Sequence, residues 1–178
     1  MRRAAHALVH GGRVWLVDPF EDPVALAAAG ELGRPAAVIQ LLDRHARDCA
    51  RIAQRLEVTH LRLPATVPDS PFVVVRVIWR RWWQELALWC EAERALVVAE
   101  ALGTAPAFAL GRRLGVHPLL RLSPPLQPLT AHAPERLLVG HGEPVQTGAE
   151  AAVQEALASA RSDLPKLIKS LPSLFAGR

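Results

Sequence analysis

The order in which hydrophobic periodicity changes along this chain constrains the fold more than any single motif. Residues 13–18, RVWLVD, alternate and end in Asp18-Pro19, which predicts a strand followed by a turn. Asp22-Pro23 has the form of a helix cap and first helical residue, opening a short helix through VALAAAGEL that stops near Gly33. AAVIQLL at 36–42 is an apolar run of strand length, suited to a strand buried on both faces. Asp43 is placed to cap the next helix, predicted over 44–56, where Cys49, Ile52, Ala53 and Leu56 recur at helical spacing. Strand, helix, strand and helix in that order imply a parallel element.

From there the pattern changes. FVVVRVIW at 72–79, ELALWC at 85–90 and ALVVAE at 95–100 predict consecutive strands with short connections, a meander whose strands are expected at 72–78, 86–90 and 95–99. His117 to Leu122 fits neither state, and the proline-rich SPPLQPLTAHAP is expected to be a loop. RLLVG at 136–140 predicts a short strand before the turn GHGEP, and residues 148–161 a helix. Pro165 can sit in the first turn of a last helix ending near Phe175. The expected class is α/β, a mixed sheet with helices on its outer faces.

With 178 residues and 51% hydrophobic content, the chain suffices for one domain with a core but not for two full ones, so 1–178 is expected to be a single domain. No apolar stretch reaches the roughly 18 residues that a membrane-spanning helix needs. The start, MRRAAHALVHGGR, has a basic tip, but His6, His10 and Arg13 break its apolar run, which argues against a signal peptide. Cys49 and Cys90 have no CxxC spacing, so two buried reduced thiols and a cytoplasmic location are expected. The net charge of +4 is carried almost wholly by arginine, with lysine only at Lys166 and Lys169. That bias fits a GC-rich genome at least as well as a nucleic-acid surface. Because no dense basic run accompanies it, nucleic acid is not an expected partner.

Four phrases, VWLVDP (14–19), AAVIQLLDRHARDCARIAQRL (36–56), ELALWCEAERALVVAEALG (85–103) and RLLVGHGEPV (136–145), together resemble the metallo-β-lactamase superfamily. The resemblance covers roughly residues 8–160, and VGHGEP with its spacing to VVAEALG is its most specific part. It implies an αββα sandwich of two mixed β-sheets flanked by helices, with metals at one edge between the sheets. It also implies that Asp18, at the end of its strand, supports the metal loop by accepting hydrogen bonds.

Departures from the family pattern bear on chemistry. The family's metal loop is HxHxDH, and the matching stretch here is DRHARD: Asp43 replaces the first histidine, His45 is retained, Arg47 replaces the aspartate, and Asp48 replaces the last histidine. The GHTPG-like turn before the LALW-type strand becomes RRWWQ, with Arg81 at the histidine position. Glu100 replaces the bridging aspartate, and His141 stays in its motif. Guanidinium has no acceptor lone pair and stays protonated, so Arg47 and Arg81 cannot ligate a metal. A dinuclear centre is therefore not expected. Instead, Arg47 and Arg81 are expected to pair with Glu100 and Asp48, replacing the lost cations and sparing the carboxylates an uncompensated burial.

Two functions from different classes follow. In the first, the domain is catalytically silent and metal-free, with Asp43, His45, Arg47, Asp48, Arg81, Glu100 and His141 as a vestigial site that binds a small anionic ligand or a protein partner. In the second, His45, Asp48, Glu100 and His141 form a mixed nitrogen and oxygen set holding one Zn, Mn or Fe ion in a mononuclear hydrolase. His60, His117 and His132 lie outside the matched motifs and are expected to be surface or internally satisfied groups. The cluster Trp79, Arg80, Arg81, Trp82 and Trp83 invites base stacking, but alternation into a core explains part of it. Trp82 and Trp83 must face opposite ways if both lie in a strand, and one is expected to line or cover the pocket. No nucleophile elbow, Ser-His-Asp signature or glycine-rich phosphate loop is present.

Overall fold

The computed structural model describes residues 3–45 and 48–169, so Arg47 and the expected helix end near Phe175 lie outside the described residues. The described residues divide into two compact units, one within 5–92, the other within 93–169 together with residues 3–4.

In the first unit, β1 (His6–His10) and β2 (Arg13–Val17) form an antiparallel hairpin across the two-residue turn Gly11-Gly12. β1 escapes a periodicity reading because histidines bound its three apolar residues. Pairing with β2 makes it a strand. Asp22 caps α1 (Pro23–Glu31), accepting the Val24 and Ala25 amides at 3.0 Å each, with Pro23 in the first turn as expected. β3 (Arg34–Gln40) then runs parallel to β2. β4 (Thr59–Arg62), too short and polar to read in sequence, runs parallel to β3.

Between β3 and β4 lies α2 (Cys49–Arg55), whose Cys49, Ile52 and Ala53 bury against Val14, Leu16 and Val38. The opposite face of β2 carries Trp15, which meets the Phe72 ring edge-on at 5.3 Å. Phe72 opens β5 (Phe72–Arg80), which pairs antiparallel with β6 (Trp83–Cys90) across the turn at 81–82.

In the second unit, β7 (Ala95–Val98) and β10 (Arg136–Val139) pair in parallel, with Val98 opposite Val139 at their ends. Between them come β8 (Leu102–Gly103), α3 (Pro106–Ala109), β9 (Gly115–Val116), a 3-10 turn at Pro118–Leu120, and α4 (Leu126–Thr130). β8 and β9 pair antiparallel. The helix α5 (Ala149–Ser159) buries Ala149, Ala152, Val153, Ala156 and Leu157, positions that share one face at helical spacing. A further helical segment covers 164–169.

In the first unit the strand order is β1-β2-β3-β4, with β5 beside β6; in the second, β7 lies beside β10 and β8 beside β9. The class is the expected α/β, two mixed sheets with flanking helices. Three local expectations change. The second helix begins at Cys49 rather than at 44, and Asp43 does not cap it. Asp43 instead exchanges hydrogen bonds with the Gln84 backbone, donating to its carbonyl and accepting its amide, so the loop after β3 is pinned to β6. The proline-rich stretch expected to be a loop contains α4, because Pro128 lies in the first turn, where no amide hydrogen is needed. His117 to Leu122 resolves as the 3-10 turn, with His117 Nδ1 accepting the Leu119 amide as a cap.

Candidate functional site

Each unit has a buried histidine paired with a carboxylate. In the first unit, β2 ends at Val17, and Asp18 turns out of the strand with φ 46°, a left-handed conformation that short acidic side chains tolerate better than most. Its amide donates to the Ile39 carbonyl, and its Oδ1 accepts the Leu41 amide at 3.0 Å, which fixes the carboxylate across the end of β3. The other oxygen, Oδ2, meets His45 Nδ1 at 3.0 Å. Both side chains are buried, Asp18 3% and His45 6% exposed. With Nδ1 committed to Asp18, any ligand of His45 is taken through Nε2. Metal-binding histidines are commonly oriented in this way, one ring nitrogen on a carboxylate and the other on the ion. Support of His45 by Asp18 is what the sequence resemblance implied.

The neighbouring residues of the loop take other roles. Asp48 is half-buried, accepting the Glu21 amide at 2.7 Å through Oδ2 and Arg51 at 2.8 Å through Oδ1. Both oxygens are engaged, so Asp48 pairs with Arg51 rather than with Arg81. Arg81 lies exposed in the β5–β6 turn and forms no ion pair with a described residue. Its expected substitution for a lost cation is thus not formed, because the hairpin turn projects it outward. Trp82 and Trp83 do part as expected: Trp82 is 52% exposed in the turn, whereas Trp83 opens β6 at 0%.

Sequence reasoning overlooked a polar floor in this unit. Glu85 is fully buried, and its Oε2 accepts the Trp83 indole N–H at 2.9 Å. Gln40, equally buried, donates to the Leu42 carbonyl, and the Arg44 guanidinium lies 4.1 Å from the centroid of the Trp83 ring. The available signal was a glutamate opening an otherwise apolar strand run, ELALWC, since a charged residue at such a position is buried only with partners.

In the second unit, the parallel register explains the pairing directly. Val98 opposes Val139, so Glu100 and His141 each lie two residues beyond the matched strand ends and meet. His141 Nε2 is 3.2 Å from Glu100 Oε1, with His141 buried and Glu100 half-buried. Glu100 therefore has His141 as a partner. The His141 carbonyl accepts the Thr104 and Ala105 amides. Gly142 has φ 100°, and a Cβ there would stand 2.2 Å from Thr104 Oγ1, so only glycine passes. The His141 ring stacks on Phe108 with centroids 5.4 Å apart.

The histidines outside the matched motifs take other positions. His60 is half-buried in β4, and burial, then the Arg62 charge, pushes its imidazole below the usual range. His117 caps the 3-10 turn, and His132 follows α4. Cys49 and Cys90 are both buried free thiols. Among the described residues, no helix is long and apolar enough to cross a membrane.

These features define the chain as a protein of the metallo-β-lactamase fold, and solved structures share it. Residues covering 97% of this chain and 86% of the other superpose on ETHE1 from Myxococcus xanthus with a TM-score of 0.63 at 14% identity. The DIM-1 metallo-beta-lactamase exposed to ceftazidime matches over 90% of this chain and 85% of its own, with a TM-score of 0.59 and 12% identity. TTHA1623 in a di-iron-bound form matches over 85% and 92%, with a TM-score of 0.58 and 17% identity. No family model and no curated protein matches the sequence.

Proposed function

We propose that this chain is a mononuclear metal-binding protein of the metallo-β-lactamase fold, with hydrolysis as its chemistry. In this reading His45, Glu100 and His141 hold a single Zn, Mn or Fe ion. The observation that carries it is the buried Asp18–His45 pair, which commits Nδ1 and leaves Nε2 as the donor atom. Two further facts support it. His141 and Glu100 form a nitrogen and oxygen pair at the ends of parallel strands, and Arg81, the expected rival cation, lies in an exposed turn. That the two histidines belong to one centre is what the motif resemblance implies, and the di-iron form of TTHA1623 shows that a protein of this fold holds metal.

The donor set suits one ion and not two. Asp48 spends both oxygens on Glu21 and Arg51, and Asp43 is bound to the Gln84 amide. Imidazole and carboxylate together suit Zn, Mn or Fe. When bound, such an ion supplies Lewis acidity of the kind that polarises a scissile carbonyl or phosphoryl group. The residues of the chain do the rest: Asp18 fixes the His45 ring, and Glu100 offers an oxygen beside His141.

The test is elemental analysis of protein purified without chelator or nickel resin, repeated on His45→Ala and His141→Ala. One ion per chain, lost in both variants, is the expected result. Two ions per chain would overturn the mononuclear assignment. No ion, even after incubation with zinc, would overturn the metal reading in favour of a silent domain that binds a small anion or a protein partner.

A further inference from the structure

His141 does not rest on Glu100 alone. Its imidazole lies nearly parallel to the Phe108 ring, with 22° between planes and 5.4 Å between centroids. Phe108 is 1% exposed, and the structure around it is shaped to hold that ring. A Cβ at Gly103 would lie 2.7 Å from its Cδ1, and one at Gly115 would lie 1.9 Å from its carbonyl oxygen. The two glycines, one in β8 and one in β9, therefore admit the α3 backbone and its aromatic side chain where any other residue would expel them. The fully buried Arg121 donates to the Phe108 carbonyl, and the same guanidinium lies 3.8 Å from the buried Asp163. His117 closes the cluster edge-on to Phe108, at 5.2 Å and 78°.

We infer that Phe108 is a positioning residue for His141, its face setting the plane in which the imidazole nitrogens lie. An imidazole binds an ion through a lone pair in its ring plane, so the plane decides where Nε2 can reach. The near-parallel contact favours this plane of the imidazole over turned orientations that would give up the stacked area. The Glu100 bond holds one atom of His141, whereas the stack bears on the plane of the whole ring. Preorganisation of this kind lowers the ordering cost of binding. The inference rests on the metal reading above, since it assigns Phe108 a role toward the ion that His141 takes.

Two measurements test it. Nuclear magnetic resonance of the zinc-free wild type reads the ring protons of His141, which shift upfield when they lie over an aromatic face. Calorimetric zinc titration compares wild type with Phe108→Leu, which keeps an apolar side chain but removes the face. Val153→Ala, truncating an equally buried residue in α5, is the control for loss of stability alone. We expect upfield His141 protons in wild type that return to ordinary positions in Phe108→Leu. We also expect a zinc Kd raised by about ten-fold or more in that variant and unchanged in Val153→Ala, in line with other residues that orient metal ligands. Ordinary His141 shifts in wild type would overturn the inference without recourse to any variant, should Phe108→Leu fail to fold. Wild-type zinc binding with an unchanged Kd in folded Phe108→Leu would overturn it while leaving the metal reading intact. A wild type that binds no zinc would overturn that reading, and the role toward an ion with it.

Discussion

At the scale of single residues, similar charges in this chain have opposite consequences according to burial. Asp18 is buried and holds the Leu41 amide and His45 Nδ1, both buried with it. Asp18→Ala should cost about 1–3 kcal/mol for each donor stranded, seen as a lower midpoint in denaturant unfolding. Arg81 is a guanidinium at a position where the family pattern has a histidine, yet it lies exposed in a turn. Arg81→Ala should stay within about 0.5 kcal/mol of wild type. A loss of several kcal/mol at Arg81 would mean that its guanidinium is buried against a carboxylate after all. Equal and small losses at both positions would remove Asp18 as the support of His45.

At the scale of elements, the segment after α5 is tied down by charge as well as by packing. Asp163 accepts Arg112 Nε at 2.7 Å and is 2.9 Å from Lys166 Nζ, while Arg112 also reaches Glu155 on α5. The Arg112 hydrogen bond, aided by Lys166 and opposed by burial, holds the Asp163 carboxyl down at about 2. Because this pKa is lower in the folded than in the unfolded chain, the stabilisation is full above about pH 4. It is lost as pH falls through the folded value near 2. The difference from an ordinary aspartate is worth about 2 kcal/mol. Acid unfolding of Asp163→Asn should therefore lack the part of the pH dependence that wild type shows between about pH 4 and pH 2. Superimposable profiles for the two proteins would show that the carboxylate is no more stabilised folded than unfolded.

At the scale of the whole molecule, a ligand that binds only the folded chain raises its stability by mass action. If the metal reading holds, zinc at a hundred times its Kd should add about 2.7 kcal/mol. For a chain of this size that raises Tm by about 5–10 °C. The same zinc should leave His141→Ala unmoved, and an unmoved wild type would count against any folded-state metal site. Much of the architecture was legible beforehand, because burial is periodic. Val14 and Leu16 alternate with Trp15, and Ala149, Ala152, Val153 and Ala156 repeat at helical spacing, so these elements declare themselves locally. β1, β4, β8 and β9 did not, being strands too short to show a period of their own. Asp43 was misread as a cap because acceptor chemistry is the same for a helix amide and for that of Gln84, and only the folded chain chooses between them. By itself, then, the sequence determined the class of fold, the order of the longer strands and helices, and which side chains carry imidazole or carboxylate. Tertiary structure decided the partners: parallel register brought Glu100 to His141, the end of β2 brought Asp18 to His45, and a hairpin turn put Arg81 outside. The physical reason is that periodicity is a property of neighbours in the chain, whereas a hydrogen bond between residues far apart in sequence is fixed only when backbones pair in register.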